Sequence, residues 1–231
     1  MPAGLAPVMT IERRYTLSVE SAIYRSIHAE STYHGIHILW MQPNDVIYIP
    51  DAIPVSEDLN LRAARPDDAP ELFRVVNKNR KFLRKHLPWL DDTNSISDET
   101  DFILDQSEKA SRMEALLLLL EYGNEIVGTL SINRIDHGNR TAWIGYWLDE
   151  EHCGNGLMTR SVGALVDVLL NACAFHRVVI EAGIDNLPSR AIPERLGFRK
   201  EGVSVEREWL YDHWIDIVQY AMTAREWNNG D

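Results

Sequence analysis

Glu151-His-Cys-Gly154-Asn-Gly156-Leu-Met-Thr159 lies between two apolar elements and decides how the rest of the chain is read. Before it, Thr141 to Leu148 (TAWIGYWL) has the β-branched and aromatic character of a strand. After it, the residues from about Gly156 to Ala172 form a Gly-bounded helix, and Arg177 to Ile184 reads as a buried strand. Leu148 to Ile184 is therefore one β-helix-β unit. Two glycines let the backbone turn tightly and present successive N–H groups at the positive end of a helix, which suits a pyrophosphate. Taken alone, Gly-x-Gly is a weak signal and more often a plain tight turn. Thr159 stands where the third glycine of the dinucleotide fingerprint belongs, and there is no Walker Gly-Lys-Ser/Thr.

Working outward, Leu59 to Ala63 alternates like a short strand, and Pro66-Asp-Asp opens a helix whose apolar face is Leu72, Val75 and Val76. Ser-Ile-Ser-Asp-Glu99 starts a second helix, with Ser or Asp as cap and Phe102, Ile103 and Leu104 inside. Ala115 to Tyr122 and Glu125 to Ile135 are strands joined at Gly123-Asn124, a hairpin signal. A shorter helix, Pro188 to Leu196, precedes a last hairpin of Gly202 to Leu210 and Trp214 to Thr223. The order β α α β β β α β α β β gives an α/β (α+β) fold, a mixed sheet flanked by helices. Residues 1–58 differ in texture, with three basic residues against seven acids, strand-like runs at Ile36 to Met41 and Val46 to Ile49, and Pro50, Pro54 and Ser56-Glu-Asp58 as a boundary. They form an N-terminal extension to a 59–231 domain, as a packed hairpin, a dimerisation arm or a leader.

Asp185-Asn186-Leu-Pro-Ser189-Arg-Ala-Ile-Pro-Glu-Arg-Leu196-Gly197-Phe198 is the second informative stretch. Asn186 or Ser189 suits a helix cap, Gly197 a C-terminal stop and Phe198 the core. Together with Ile144-Gly-Tyr-Trp-Leu148, Gly154-Asn-Gly-Leu-Met-Thr159 and His86-Leu-Pro-Trp-Leu90, it resembles the GCN5-related N-acetyltransferase (GNAT) superfamily, in its branch of ribosomal-protein N-acetyltransferases (RimJ/RimL type), over Leu59 to Trp227.

The resemblance implies a mostly antiparallel sheet whose central strands splay. Acetyl-CoA would enter the notch, its pyrophosphate held by backbone N–H groups of Cys153, Gly154, Asn155, Gly156, Leu157 and Met158, with Thr159 alongside. An N–H near Trp147 or Leu148 would polarise the thioester carbonyl, and Asn186 would lie by the pantetheine arm. A tyrosine that many members use to protonate the departing thiolate is replaced here by Pro193, and the branch uses a serine where Ser189 stands. Glu208 aligns with a carboxylate that accepts the amine proton through water. Glu206 would share its face by strand alternation and is the alternative; Asp149, Glu151 and Glu181 are further candidates. Asn155, Glu151 and Trp143 depart from the common pattern, and Arg160 is placed to make up the charge missing at Asn155.

The 231 residues include 23 Lys and Arg against 35 Asp and Glu, a net charge of −12, which argues against a general nucleic-acid binder. The longest strongly apolar run, Ala115 to Leu120, is far short of a membrane span, and no secretory signal is expected from the amino end. Two cysteines give no disulfide framework, so a cytoplasmic protein with reduced thiols is expected. His28, Glu30, His34 and His37 lack metal-ligand spacing, and no metal is expected. Phe82, Leu83, Leu87, Trp89 and Leu90 suit a core or lid, and Trp209, Tyr211, Trp214 and Tyr220 a packed hairpin or a homodimer face. The sequence thus points to an acetyl-CoA-dependent N-acetyltransferase with a protein N-terminus, such as that of a ribosomal protein, as acceptor. A polyamine or amino-sugar transferase and a catalytically silent acyl-CoA-binding module are the rivals.

Overall fold

The computed structural model describes residues 49–230. Their first strand, β1 (Ala52–Pro54), pairs antiparallel with β2 (Leu59–Ala63), so the sheet begins before the Ser56-Glu-Asp58 boundary. The strand-like runs expected between Ile36 and Tyr48 lie outside the described residues.

Helix α1 (Ala69–Lys78) follows a Pro66–Asp68 turn and buries Ala69, Leu72, Val75 and Val76, the three-four spacing of one helical face. A short helix α2 (Arg80–Leu83) and a Pro88–Asp91 turn lead to α3 (Ile96–Ser111). Ser95 caps α3: its Oγ accepts from Asp98 N at 3.2 Å while Asp98 Oδ2 accepts from Ser95 N at 2.8 Å, a reciprocal capping box.

Strands β3 (Leu116–Tyr122) and β4 (Glu125–Asp136) turn at Gly123 and Asn124, whose φ values of 59° and 68° are both left-handed as a two-residue hairpin turn demands. Leu117 and Leu119 pack with Ala69, Leu72 and Ile103 beneath α1 and α3. Leu118 and Leu120 point to the opposite face by strand alternation and are equally buried, which explains an apolar run without a polar side.

Then follow β5 (Thr141–Leu148), α4 (Leu157–Asp167) continuing as a π-helical turn over Val168–Ala172, β6 (Arg177–Gly183), α5 (Leu187–Arg195), β7 (Arg199–Leu210), β8 (His213–Thr223) and α6 (Ala224–Asn229). Among the described residues eight strands lie in the order β1-β2-β3-β4-β5-β6-β8-β7, and of these only β5 and β6 run parallel. That pair is joined by the α4 crossover, as a parallel connection requires.

The ladders on either side of this pair end at different places. β5 and β6 pair only from Thr141–Arg177 to Ile144–Ile180. Beyond that, β5 stays with β4 as far as Leu148–Gly128, and β6 stays with β8 as far as Gly183–Ile217. The sheet is thus mostly antiparallel with splayed central strands, as expected. Gly128 sets how closely β4 approaches β5 at the open end: a Cβ there would fall 2.3 Å from the Trp147 carbonyl oxygen.

Gly128→Ala should therefore force β4 away from the Trp147–Leu148 end of β5 and destabilise the fold by about 1–3 kcal/mol, the usual range for overpacking. Thermal or urea denaturation measures this, and an unchanged midpoint would contradict the close approach.

Candidate active site

Two clefts meet at the gap between β5 and β6. The smaller, about 580 Å³, is lined by the glycine loop, the start of α4 and α5. The larger, about 900 Å³, runs between α3, the 86–89 segment and the end of β7. His86, Leu87, Tyr146, Trp147, Asn186 and Ser189 line both, so they form the common wall.

The glycine loop starts from a fixed point. Asp149, 4% exposed at the end of β5, takes Lys78 Nζ on Oδ2 at 2.9 Å, and His152 Nδ1 lies 3.0 Å from the same oxygen. Burial pushes the Asp149 carboxyl up, but Lys78, Asn79 and His152 outweigh it and hold the group below the usual carboxylate range. Glu151 shares Lys78 at 2.6 Å. Both acids are thus committed to anchoring the loop.

Gly154 and Gly156 have φ of +83° and +73°, and Gly156 is the left-handed residue that starts α4. None of the amides from Gly154 to Thr159 donates to a partner among the described residues, so these N–H groups stand open at a helix N-terminus. Cys153 is a correction to the sequence expectation: its N–H is spent on the Glu150 carbonyl at 3.2 Å. Leu148, Cys153, Gly154, Gly156, Leu157, Met158, Thr159 and Arg160 nonetheless line the smaller cleft; Asn155 is exposed and does not. The Arg195 guanidinium reaches the Thr159 hydroxyl at 3.4 Å. A diphosphate fits this donor set chemically.

Asn186 is the cap of α5, its Oδ1 accepting from Ser189 N at 3.3 Å. That puts Ser189 in the first turn, and its hydroxyl has no hydrogen-bond partner among the described residues. Pro193 explains how β5 and α5 are joined. A proline has no N–H, so within the helix the Ser189 carbonyl four residues earlier loses its usual donor. The Tyr146 hydroxyl supplies one at 2.9 Å. Tyr146 thus ties the free end of β5 to α5, and burial raises its phenol far above the ordinary value. Below, Arg190 ties α5 to the Ile184 carbonyl at 2.6 Å and to the Tyr220 hydroxyl at 3.0 Å.

Glu208 is half-buried in the larger cleft, and burial raises its carboxyl above the usual value; Arg207 opposes the shift and Glu181 adds to it. Glu206 does not share its face. Between Ser204–Ile217 and Glu208–Ile215 strand β7 carries two extra residues, and at this bulge Glu206 takes φ 48° and donates its N–H to Asp216 Oδ1 at 2.8 Å. The strand alternation used to make Glu206 an alternative is broken there. Glu181 lines the cleft but is paired with Arg207 at 2.5 Å.

The 86–89 segment forms the roof. Leu83 and Leu90 are buried with Val76, while Phe82, Leu87 and Trp89 pack against them. The tip of the last hairpin closes onto it: Tyr211 donates to the Leu87 carbonyl at 2.6 Å, and the Arg84 guanidinium sits 3.7 Å over the Tyr211 ring. Burial, with Lys85 nearby, lowers the His86 pKa. Trp209 and Trp214 pack edge-to-face on the exposed hairpin at 5.2 Å, whereas Tyr220 is fully buried. Trp143 stacks under Arg134 at 3.6 Å. Among the described residues no His, Cys, Asp and Glu side chains cluster as metal ligands, and no helix is long and apolar enough to cross a membrane. His28, Glu30, His34 and His37 lie outside them.

A parallel pair that opens beside a glycine-started helix, with a second cleft behind it, is the architecture of an acyl-CoA-dependent transferase. The chain belongs to the family described as Acetyltransferase (GNAT) domain, whose model matches residues 58–199, and it is an N-acetyltransferase. It is 32% identical over 171 residues to the ribosomal-protein-serine acetyltransferase of Escherichia coli strain K12, covering 74% of this chain and 96% of that protein. RimL, a ribosomal L7/L12 alpha-N-protein acetyltransferase solved with coenzyme A, superposes with a TM-score of 0.73 at 34% identity, covering 74% of this chain and 97% of its own. The microcin C7 self-immunity acetyltransferase MccE, solved with acetyl-CoA and AMP, gives 0.73 at 32% identity over 76% and 97%.

Pro193 inside a helix is a signal in the sequence that the Ser189 carbonyl needs another donor, while Tyr146 as that donor is visible only in the fold. Tyr146→Phe should cost about 1–3 kcal/mol by leaving the Ser189 carbonyl unpaired. Pro193→Ala restores a backbone donor, so a double-mutant cycle should show coupling of at least ~0.5 kcal/mol. Strict additivity in denaturant unfolding would contradict the link.

Proposed function

We propose that this acetyltransferase moves the acetyl group of acetyl-CoA directly onto the α-amine of a protein N-terminus, a ribosomal protein being the leading acceptor. The observation that carries the reading is the common wall, where Ser189 and Tyr146 face both clefts while Glu208 lines the acceptor side. The ribosomal-protein relatives in E. coli and the RimL structure support the choice of acceptor.

Acetyl-CoA supplies an activated acyl group as a thioester. The open amides of Gly154 to Met158 and the adjoining Thr159 hold its diphosphate, with Arg160 lining the same cleft. Asn186 lies beside the pantetheine arm. Past Ile144, β5 no longer has β6 as a partner. Asp149 N–H donates to the Val127 carbonyl on β4, so by alternation Trp147 N–H faces β4 and Leu148 N–H faces the gap, available to the thioester oxygen as negative charge develops there.

An ammonium has no lone pair and must first lose a proton. For an N-terminal amine, with pKa about 7.7–8.0, this costs roughly 1 kcal/mol at neutral pH, against about 4.6 kcal/mol for a lysine near 10.4. Glu208 takes that proton through water, and its raised pKa brings it nearer the working pH. The amine nitrogen bonds to the acyl carbon as the carbon–sulfur bond breaks. Ser189 Oγ gives its proton to the departing sulfur and is reprotonated, through cleft water, by the second proton that the nitrogen sheds as it becomes an amide.

The reading goes with a cytoplasmic location, where acetyl-CoA and new ribosomal proteins meet, with no part for nucleic acid, membrane or metal. The exposed Trp209–Trp214 pair offers a homodimer face. A small-molecule amine acceptor is the second reading, favoured by the AMP bound in MccE.

Glu208→Gln should lower kcat by about 10²–10⁴ on an N-terminal peptide, the range for loss of a general base. It should also abolish the acidic limb of the kcat/KM profile, which burial places above the ordinary carboxylate value. Ser189→Ala should reduce kcat with little change in acetyl-CoA affinity. Unaltered turnover and pH profile in both variants would remove these roles.

A further inference from the structure

The larger cleft contains an acid that acyl transfer does not use. Glu99, in the first turn of α3, is 3% exposed and lines this cleft beside Leu72, Leu117 and Trp147. Among the described residues its Oε2 has no hydrogen-bond partner, and none makes an ion pair with the carboxyl. Asp98, its neighbour, already serves the helix cap, so Glu99 has no capping duty. Burial pushes the group up to about 7.

The positive groups of the cleft are engaged elsewhere. Lys109 is held by Asp105 at 2.6 Å, Arg207 by Glu181, and Arg134 stacks over Trp143. A buried carboxyl without a partner destabilises the fold, and an apolar side chain would pack there at lower cost. Such a group in a ligand cleft is satisfied by what enters it. An ionised carboxylate gains most from a cationic donor, through a charge-assisted bond in a low-dielectric site.

We propose that Glu99 determines acceptor specificity by pairing with a second positive charge on the acceptor, distinct from the amine that is acetylated. The inference rests on the larger cleft being the acceptor side. The second charge is a lysine or arginine near a peptide's N-terminus, or the distal ammonium of a small diamine.

Two matched pairs test this on the full-length protein with acetyl-CoA: serine-initiated peptides with lysine or norleucine at the second and third positions, and 1,4-diaminobutane against 1-aminobutane. For one pair the wild type should favour the cationic member in kcat/KM by ~10-fold, a charge-assisted contact. Glu99→Gln should bring that ratio to about one. The pair that shows the preference identifies a peptide or a diamine as its source. No preference in either pair, or one that survives Glu99→Gln, overturns the proposal.

If no amine is acetylated, the functional reading fails, yet Glu99 is still tested. Tryptophan fluorescence from Trp89 and Trp147 then compares the affinities of the same compounds in wild type and variant, and equal affinities in the wild type overturn the proposal. Where the carboxyl is ionised, Glu99→Gln should be as stable as the wild type or more so. A loss of stability with the acceptor ratio intact assigns Glu99 to the fold instead. Should Glu99→Gln fail to fold, Glu99→Met is the second variant for every measurement.

Discussion

The site depends on one interruption of hydrogen bonding: β5 and β6 stop pairing after Ile144 and Ile180 while each keeps its outer neighbour. Backbone polar groups inside a protein need partners, so an opening of this kind persists only where something else engages the freed edge. Tyr146 spans the gap and ends on the Ser189 carbonyl that Pro193 has released. The same proline that removes the family's common tyrosine therefore creates the acceptor that ties β5 to α5. Asn186 and Arg190 fix the rest of α5, so Ser189 is presented from a rigid element.

Charge is distributed unevenly around that opening. On the smaller-cleft side, Lys78 pairs with both Asp149 and Glu151, and the cleft that the open amides face is lined by Arg160 and Arg195 and by no acid among the described residues. On the other side, Arg207 is occupied by Glu181 while Glu208 and Glu99 have no ion-pair partner among the described residues, both raised by burial. An anionic ligand is favoured on one side of the common wall and a cationic one on the other. That polarity matches a diphosphate-bearing donor meeting an amine.

Most of the fold was legible because its signals are local. The two-residue turn at Gly123-Asn124, the proline and acids before α1, and the change of period around the glycine loop each identify an element without tertiary information. The failures came where period alone cannot decide. The extra residues in β7 shift Glu206 off the face of Glu208, and a bulge leaves no mark in alternation. The glycine pattern gives no sign that the turn over Glu150–His152 uses the Cys153 amide. Glu99 carries no local signal of its role, because its missing partner is a fact of packing. β1 was hidden by its length of three residues and by the prolines around it.

A crystal structure with bound acetyl-CoA tests the central claim most directly. The account predicts the thioester seated between the diverging ends of β5 and β6, and the diphosphate within hydrogen-bond distance of amides between Gly154 and Thr159. Strands closed onto each other past Ile144, or the ligand bound away from this gap, would contradict it.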